Sequence, residues 1–120
     1  MNTVIPIFRI FDINKAKEFY IDWLGFKIDW EHRFGENFPV YMSISKGDIT
    51  IHVSEHYGDA TPGSKIMINF KGLKEYCELL RAKNYRYYKP GIEESEWNSY
   101  IMELTDPFGN RLMFNEAKSV

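Results

Sequence analysis

In FRIFDINKAKEFYIDWLGFKIDW, residues 8–30, the hydrophobic period changes twice. Phe8 to Phe11 close an apolar run that starts at Val4, is too short for a typical helix and reads as a strand. Pro6 within it points to a sheet edge, where its missing N–H is not needed. Ala16, Phe19, Tyr20, Trp23 and Leu24 then fall at i, i+3, i+4, i+7 and i+8, one face of a helix. Asp12 or Asn14 can accept from the orphan N–H groups at its start, and Gly25 can take the left-handed conformation at its end. From Phe26 to Phe34 the pattern reads as a strand again.

Working outward, Val40 to Lys46 and Ile49 to Glu55 are two more strands, with GEN and KGD before them as turn signals. The first half therefore reads β-α-β-β-β. From Lys65 the order restarts. IMINF is a strand, and Leu73, Tyr76, Cys77 and Leu80 share one helical face. Tyr85 to Lys89, Ser99 to Thr105 and Arg111 to Glu116 are expected as three strands, the last two joined by the turn DPFGN. Asn14 to Leu73 is 59 residues and Ile49 to Arg111 is 62, so two units of about sixty fill the chain and imply an internal duplication. The expectation is one α+β domain over residues 1–120, with module one at about 1–57, module two at about 64–117, and EHYGDATPGS as the loop between them.

A chain of 120 residues can bury a hydrophobic core without disulfide or metal staples. Fifteen basic against 17 acidic residues leave a net charge of −2, which supplies no excess for a nucleic-acid backbone. The 44% hydrophobic and 27% charged composition is that of a folded chain, with no apolar run long enough for a membrane span. The lone Cys77 cannot form an internal disulfide and reads as a packed thiol. The N-terminal residues lack a signal-peptide pattern, so a cytoplasmic location is expected.

Alternation along the strands separates two faces. Val4, Phe8 and Ile10, Ile49, Ile51 and Val53, Ile66, Ile68 and Phe70, Met102 and Leu104, and Leu112 and Phe114 are expected as core. The opposite parity presents Ile5, Ile7, Arg9, Tyr41, Ser43, His52, Lys65, Met67, Glu103, Arg111 and Met113 among others. Such a mixture suits a lined concavity, with a solvated sheet face as the competing reading.

The duplicated order, with residues 8–30 at the start and DPFGNRLMF near the end, resembles the vicinal-oxygen-chelate superfamily, also called the glyoxalase, bleomycin-resistance and dioxygenase superfamily, over essentially the whole chain. GDITIHVSEHYGDATPGS, PGIEESEW and DPFGNRLMF are most similar to its bleomycin-resistance-like branch. The resemblance implies paired modules whose curled mixed sheets form a cleft, and commonly a homodimer. It also implies four metal-ligand positions, which here carry Ile5, His52, Lys65 and Met113. Only His52 among them is a ligand for a hard or borderline cation. Metal-dependent chemistry loses most of its support, and no cofactor is expected.

His52 reads as a polar anchor in the cleft or as a structural hydrogen-bonding histidine, and the spacing of His32, His52 and His56 does not support a three-histidine metal site. The glutamates of EESEW are usually solvated charge, whereas Trp97 offers a stacking surface that the resemblance places at the ligand cleft. Trp30 and Phe38 can contribute similarly, with core packing an equal reading for Trp30. Glu103, Arg9, Lys65 and Arg111 either hold a charged ligand or pair with one another. The expected ligand-binding set is Trp97, Tyr41, His52, Glu103, Trp30, Phe38, Arg9, Met67 and Met113, with no catalytic or metal-binding residue. The expected function is metal-independent sequestration of a bleomycin-like or other aromatic or cationic small molecule by a homodimer. The alternatives are a metal-dependent lyase or dioxygenase, and a metal-free isomerase using His52 and Glu103 as acid and base.

Overall fold

The computed structural model describes residues 2–118, which divide into two compact units. The first comprises residues 2–64 together with 106–110, and the second 65–105 and 111–118. The DPFGN turn therefore belongs to the first unit although the strands it joins belong to the second, a division that the module boundaries near 57 and 64 did not anticipate.

In the first unit, strands β1 (Ile7–Arg9), β2 (Lys27–Arg33), β3 (Val40–Lys46) and β4 (Ile49–Ser54) form a mixed sheet in the order β1-β4-β3-β2. Only β1 and β4 are parallel. The second unit repeats this with β5 (Lys65–Asn69), β6 (Glu93–Glu94), β7 (Ser99–Thr105) and β8 (Arg111–Ala117) in the order β5-β8-β7-β6, where β5 and β8 are parallel. The duplication reaches single residues. Ile10 N donates to Ser54 O and Phe70 N to Asn115 O, both at 2.9 Å. Glu55 accepts from Ile13 N at 3.1 Å, and Glu116 accepts from Gly72 N and Leu73 N at 2.9 and 3.0 Å. In each unit a glutamate closing the last strand thus caps the helix that follows the first strand, a place where negative charge also meets the positive end of the helix.

The first helix departs from the periodic reading. Asp12 caps α1 (Ile13–Ala16) through bonds from Asn14 N and Lys15 N, but Lys17–Trp23 continue as a π-helical segment closed by Leu24 N to Phe19 O at 3.0 Å. The wider turn buries Phe19, Tyr20 and Trp23, with ring centroids 4.9 and 5.4 Å from Phe19 to its two neighbours. Local period cannot register this, because three large rings packing on one turn and a tertiary bond from Tyr20 outweigh the usual spacing. Gly25 ends the helix at φ +85°, as expected. Helix α2 (Leu73–Ala82) buries Leu73, Tyr76, Cys77 and Leu80, and burial pushes the Cys77 thiol upward.

Two further expectations are corrected. Tyr85–Lys89 is not a strand, since the chain turns there with Tyr88 N bonded to Tyr85 O, and the two residues of β6 supply the edge instead. Val4 is 93% exposed and no part of the core, because pairing with β4 begins only at Ile7. Phe8, Ile10, Ile51, Val53, Ile68, Met102, Leu104, Leu112 and Phe114 are buried as the alternation predicted.

Tyr20 Oη donates to Asp106 Oδ2 at 2.7 Å inside the first unit, and Asp106 also accepts from Phe108 N, Asn110 N and Asn110 Nδ2. Asn110 Nδ2 reaches Arg9 O at 2.8 Å. Gly109, at φ +96°, takes the left-handed position of the turn. Burial and the neighbouring Asp106 hold the Tyr20 phenol well above its ordinary range.

Candidate functional site

The polar face of the first sheet is built by register. Trp30 and His52 both lie opposite Ser43, and side chains opposite one another share a face. Between Ile28 and Trp30 the β2–β3 register shifts by one residue, a β-bulge at Asp29. Ile28 lies opposite the core residue Ile44, and the bulge then turns Trp30 to the polar face. The Asp29 carboxylate reaches the same face, accepting from Ser45 Oγ at 2.8 Å and Ser43 Oγ at 3.3 Å.

The Trp30 and Tyr41 rings stack at 5.9 Å and 11°, and His52 meets both edge-on at 5.2 Å. Tyr41 Oη and His52 Nδ1 are hydrogen-bonded at 2.8 Å. Partial burial pushes His52 below its ordinary value, opposed by the charge of Asp29. The Tyr41 phenol is raised by the same desolvation and secondarily by Asp59. With Trp30 46% exposed, the cluster is a rigid aromatic surface with an anchored carboxylate beside it, not core packing. The strand residues adjoining it were legible from alternation, but Asp29 was not. A bulge leaves no mark in the period of KIDWEHR.

Other expected residues of this unit lie elsewhere. Arg9 donates to Ile10 O and Glu55 O at 2.5 and 2.6 Å and lies 4.6 Å from the Phe11 ring centroid, so its guanidinium is engaged by the backbone at the end of β4. Phe38 sits over Gly35 in the β2–β3 loop, exposed. His32 and His56 flank Phe34 edge-on, and His56 and Asp59 organise their loop through Ser54 Oγ.

On the second unit's polar face, Glu103 bonds Lys65 at 3.1 Å and lies 3.9 Å from Arg111, so the charges there do pair with one another. Each half of the His52 and Glu103 acid–base pair is thus engaged within its own unit. Met67, exposed, lies opposite Met113, which is only 6% exposed and offers little surface to a ligand. Trp97, 54% exposed, donates from Nε1 to Asn115 Oδ1 at 3.0 Å, and Asn115 Nδ2 donates to Asn69 Oδ1 at 3.1 Å. The buried Asn115 therefore fixes the direction of the indole, a role that the sequence did not reveal. A groove of about 600 Å³ runs over Ile101, Glu103 and Thr105, walled by Tyr88, Gly91 and Ile92.

The metal positions implied by the family do not fit a metal. Ile5 precedes β1 and carries no donor, Lys65 is an ammonium bonded to Glu103, Met113 is buried, and His52 Nδ1 is shared with Tyr41. Among the described residues no group of three or more His, Cys, Asp or Glu side chains is placed to hold an ion. No helix among the described residues is long and apolar enough to cross a membrane.

Comparison with curated proteins finds no match. Among solved structures, a bleomycin resistance determinant encoded on the transposon Tn5 superimposes with a TM-score of 0.77 at 19% identity, covering 99% of this chain and 100% of that one. A bleomycin-binding protein complexed with bleomycin gives 0.71 at 23% identity, covering 98% and 100%. TnmS3, an antibiotic binding protein from Streptomyces sp. CB03234, gives 0.70 at 17% identity, covering 98% of each. At these identities the likeness establishes the fold. The family model described as glyoxalase superfamily protein matches residues 1–120, and with the repeated βαβββ topology this means that the chain belongs to the glyoxalase superfamily.

Proposed function

We propose that the protein binds and sequesters a small aromatic or cationic organic molecule of the bleomycin type, without metal and without turnover, as a cytoplasmic homodimer. The observation that carries this reading is the stacked, half-exposed Trp30–Tyr41 pair with the Asp29 carboxylate anchored on the same face. A flat ring can extend that stack, and a cation gains from both the indole face and the carboxylate. The Trp97 indole, held by Asn115, offers a second platform in its own unit. The names of the solved relatives, two of them bleomycin-linked and one antibiotic-binding, support the ligand class. In this role His52, edge-on to both rings, borders the molecule stacked on Trp30 and Tyr41.

The test is titration of the chain with metal-free bleomycin, followed by tryptophan fluorescence and calorimetry, with native mass spectrometry for chain count. Saturable quenching, recovery of unchanged ligand, and a loss of roughly fivefold in affinity for Trp30→Ala are expected. Absence of binding to bleomycin and to a panel of aromatic antibiotics, or chemical conversion of the ligand, would overturn the reading.

A further inference from the structure

The nine residues after the middle of α2, Arg81 to Lys89, read RAKNYRYYK, with four basic side chains, three tyrosines and no acid in a chain whose net charge is −2. Their expected strand does not form. Asn84 ends the helix at φ +52°, Tyr88 N bonds Tyr85 O, and Arg81 Nη1 holds the returning chain through Pro90 O at 2.7 Å. The turn encloses a concavity of about 350 Å³, lined by Arg81, Arg86, Lys89, the three tyrosines and Asn84, with no carboxylate in its wall. Neither Arg86 nor Lys89 has an acidic partner among the described residues. The Arg86 guanidinium carbon lies 4.8 Å from the centroid of Tyr87, which meets Tyr85 edge-on at 5.6 Å and is itself largely exposed.

We propose that this concavity, which shares Tyr88 and Lys89 with the groove over Ile101 and Glu103, is a second ligand site that takes a small organic anion joining a planar ring to a phosphate. Its volume lies at the small end of the range for metabolite pockets and is too little for a folded partner. Three cations line the concavity with no carboxylate among its lining residues, and they outweigh the partial negative end of α2, which amounts to about half a charge. A phosphomonoester carries about −1.5 to −2 at neutral pH, which matches the two unpaired cations better than a single carboxylate does. Arginine presents its donors in a planar fork suited to phosphate oxygens. Tyr87, braced on one side by Arg86 and at its edge by Tyr85, supplies the stacking surface for the ring.

The test uses adenosine monophosphate, adenosine and inorganic phosphate as probes on the intact chain, by calorimetry and by amide and tyrosine resonance mapping. Adenosine monophosphate is expected to bind with shifts confined to residues 81–90, at least about tenfold more tightly than adenosine or phosphate alone. Arg86→Ala and Lys89→Ala, at exposed side chains, should each weaken it by about tenfold with unchanged thermal midpoints, and Trp30→Ala should leave it intact. Shifts that fall elsewhere, equal binding of adenosine, indifference to both cation variants, or far tighter binding of a single-stranded oligonucleotide would overturn the proposal. Because Trp30→Ala acts only on the other site, failure of one reading leaves the other separately testable.

Discussion

Tyr20→Phe removes one hydroxyl from the interior of the first unit and changes nothing else in shape. That hydroxyl donates at 2.7 Å to Asp106, which keeps three other donors: Phe108 N, Asn110 N and Asn110 Nδ2. A hydrogen bond to a carboxylate contributes about 1.5–3 kcal/mol, and because Asp106 stays partly satisfied the loss should be about 2 kcal/mol. For a chain of this length that lowers the thermal midpoint by roughly 8 °C. The effect should also depend on pH in a definite sense. The Tyr20 phenol is raised in the folded state, so its contribution is fully present below the ordinary tyrosine value near 10 and is lost as pH rises above it. The gap between wild type and variant should therefore shrink by about 1 kcal/mol between pH 10 and 11. Urea unfolding of both chains at pH 7, 10 and 11 measures this, and combining Tyr20→Phe with Asp106→Asn should show the two changes to be strongly non-additive. A variant within about 0.5 kcal/mol of wild type at pH 7, or a gap that widens at high pH, would refute the assigned bond.

Asn115→Leu keeps the branched shape of the buried side chain, though not its volume, and removes the acceptor of Trp97 Nε1 and the donor to Asn69, so the Trp97 indole N–H should exchange with solvent faster and lose its distinct resonance. The stability cost should be only about 1–2 kcal/mol, because both partners can turn to water. His52 is depressed in the folded state, so its contribution is present above about pH 6.5 and lost as pH falls through the lower folded value. His52→Gln should flatten that acid limb of the urea midpoint, and an unchanged limb would show that His52 is solvated. Gly109→Ala, at φ +96°, should destabilise by about 1 kcal/mol in the same assay although a Cβ meets nothing within 4 Å, because the backbone conformation alone disfavours it.

Much of the architecture was readable in the chain because burial imposes a period. Ala16, Phe19, Tyr20, Trp23 and Leu24 announced a helix, Leu73, Tyr76, Cys77 and Leu80 announced another, and alternation separated the core residues Ile51 and Val53 from His52. Where local period and tertiary packing disagree, the reading failed. The aromatic turn around Tyr20 is π-helical, and the tyrosine-rich Tyr85–Lys89 segment has strand-forming residues but no neighbouring strand to pair with. Val4 carries the right parity yet lies beyond the first ladder bond.

For the candidate site the division is similar. Residue type and alternation alone nominated Tyr41, His52, Glu103 and Met67, and spacing alone implied two βαβββ repeats, because both follow from short-range geometry along one strand or helix. Only the tertiary structure decided that Trp30 stacks on Tyr41, that a bulge delivers Asp29 beside them, that Asn115 aims Trp97, and that Glu103 and Arg9 are already partnered. Those outcomes depend on cross-strand register and on hydrogen bonds between residues as much as 46 positions apart, and neither leaves a periodic trace in the order of amino acids.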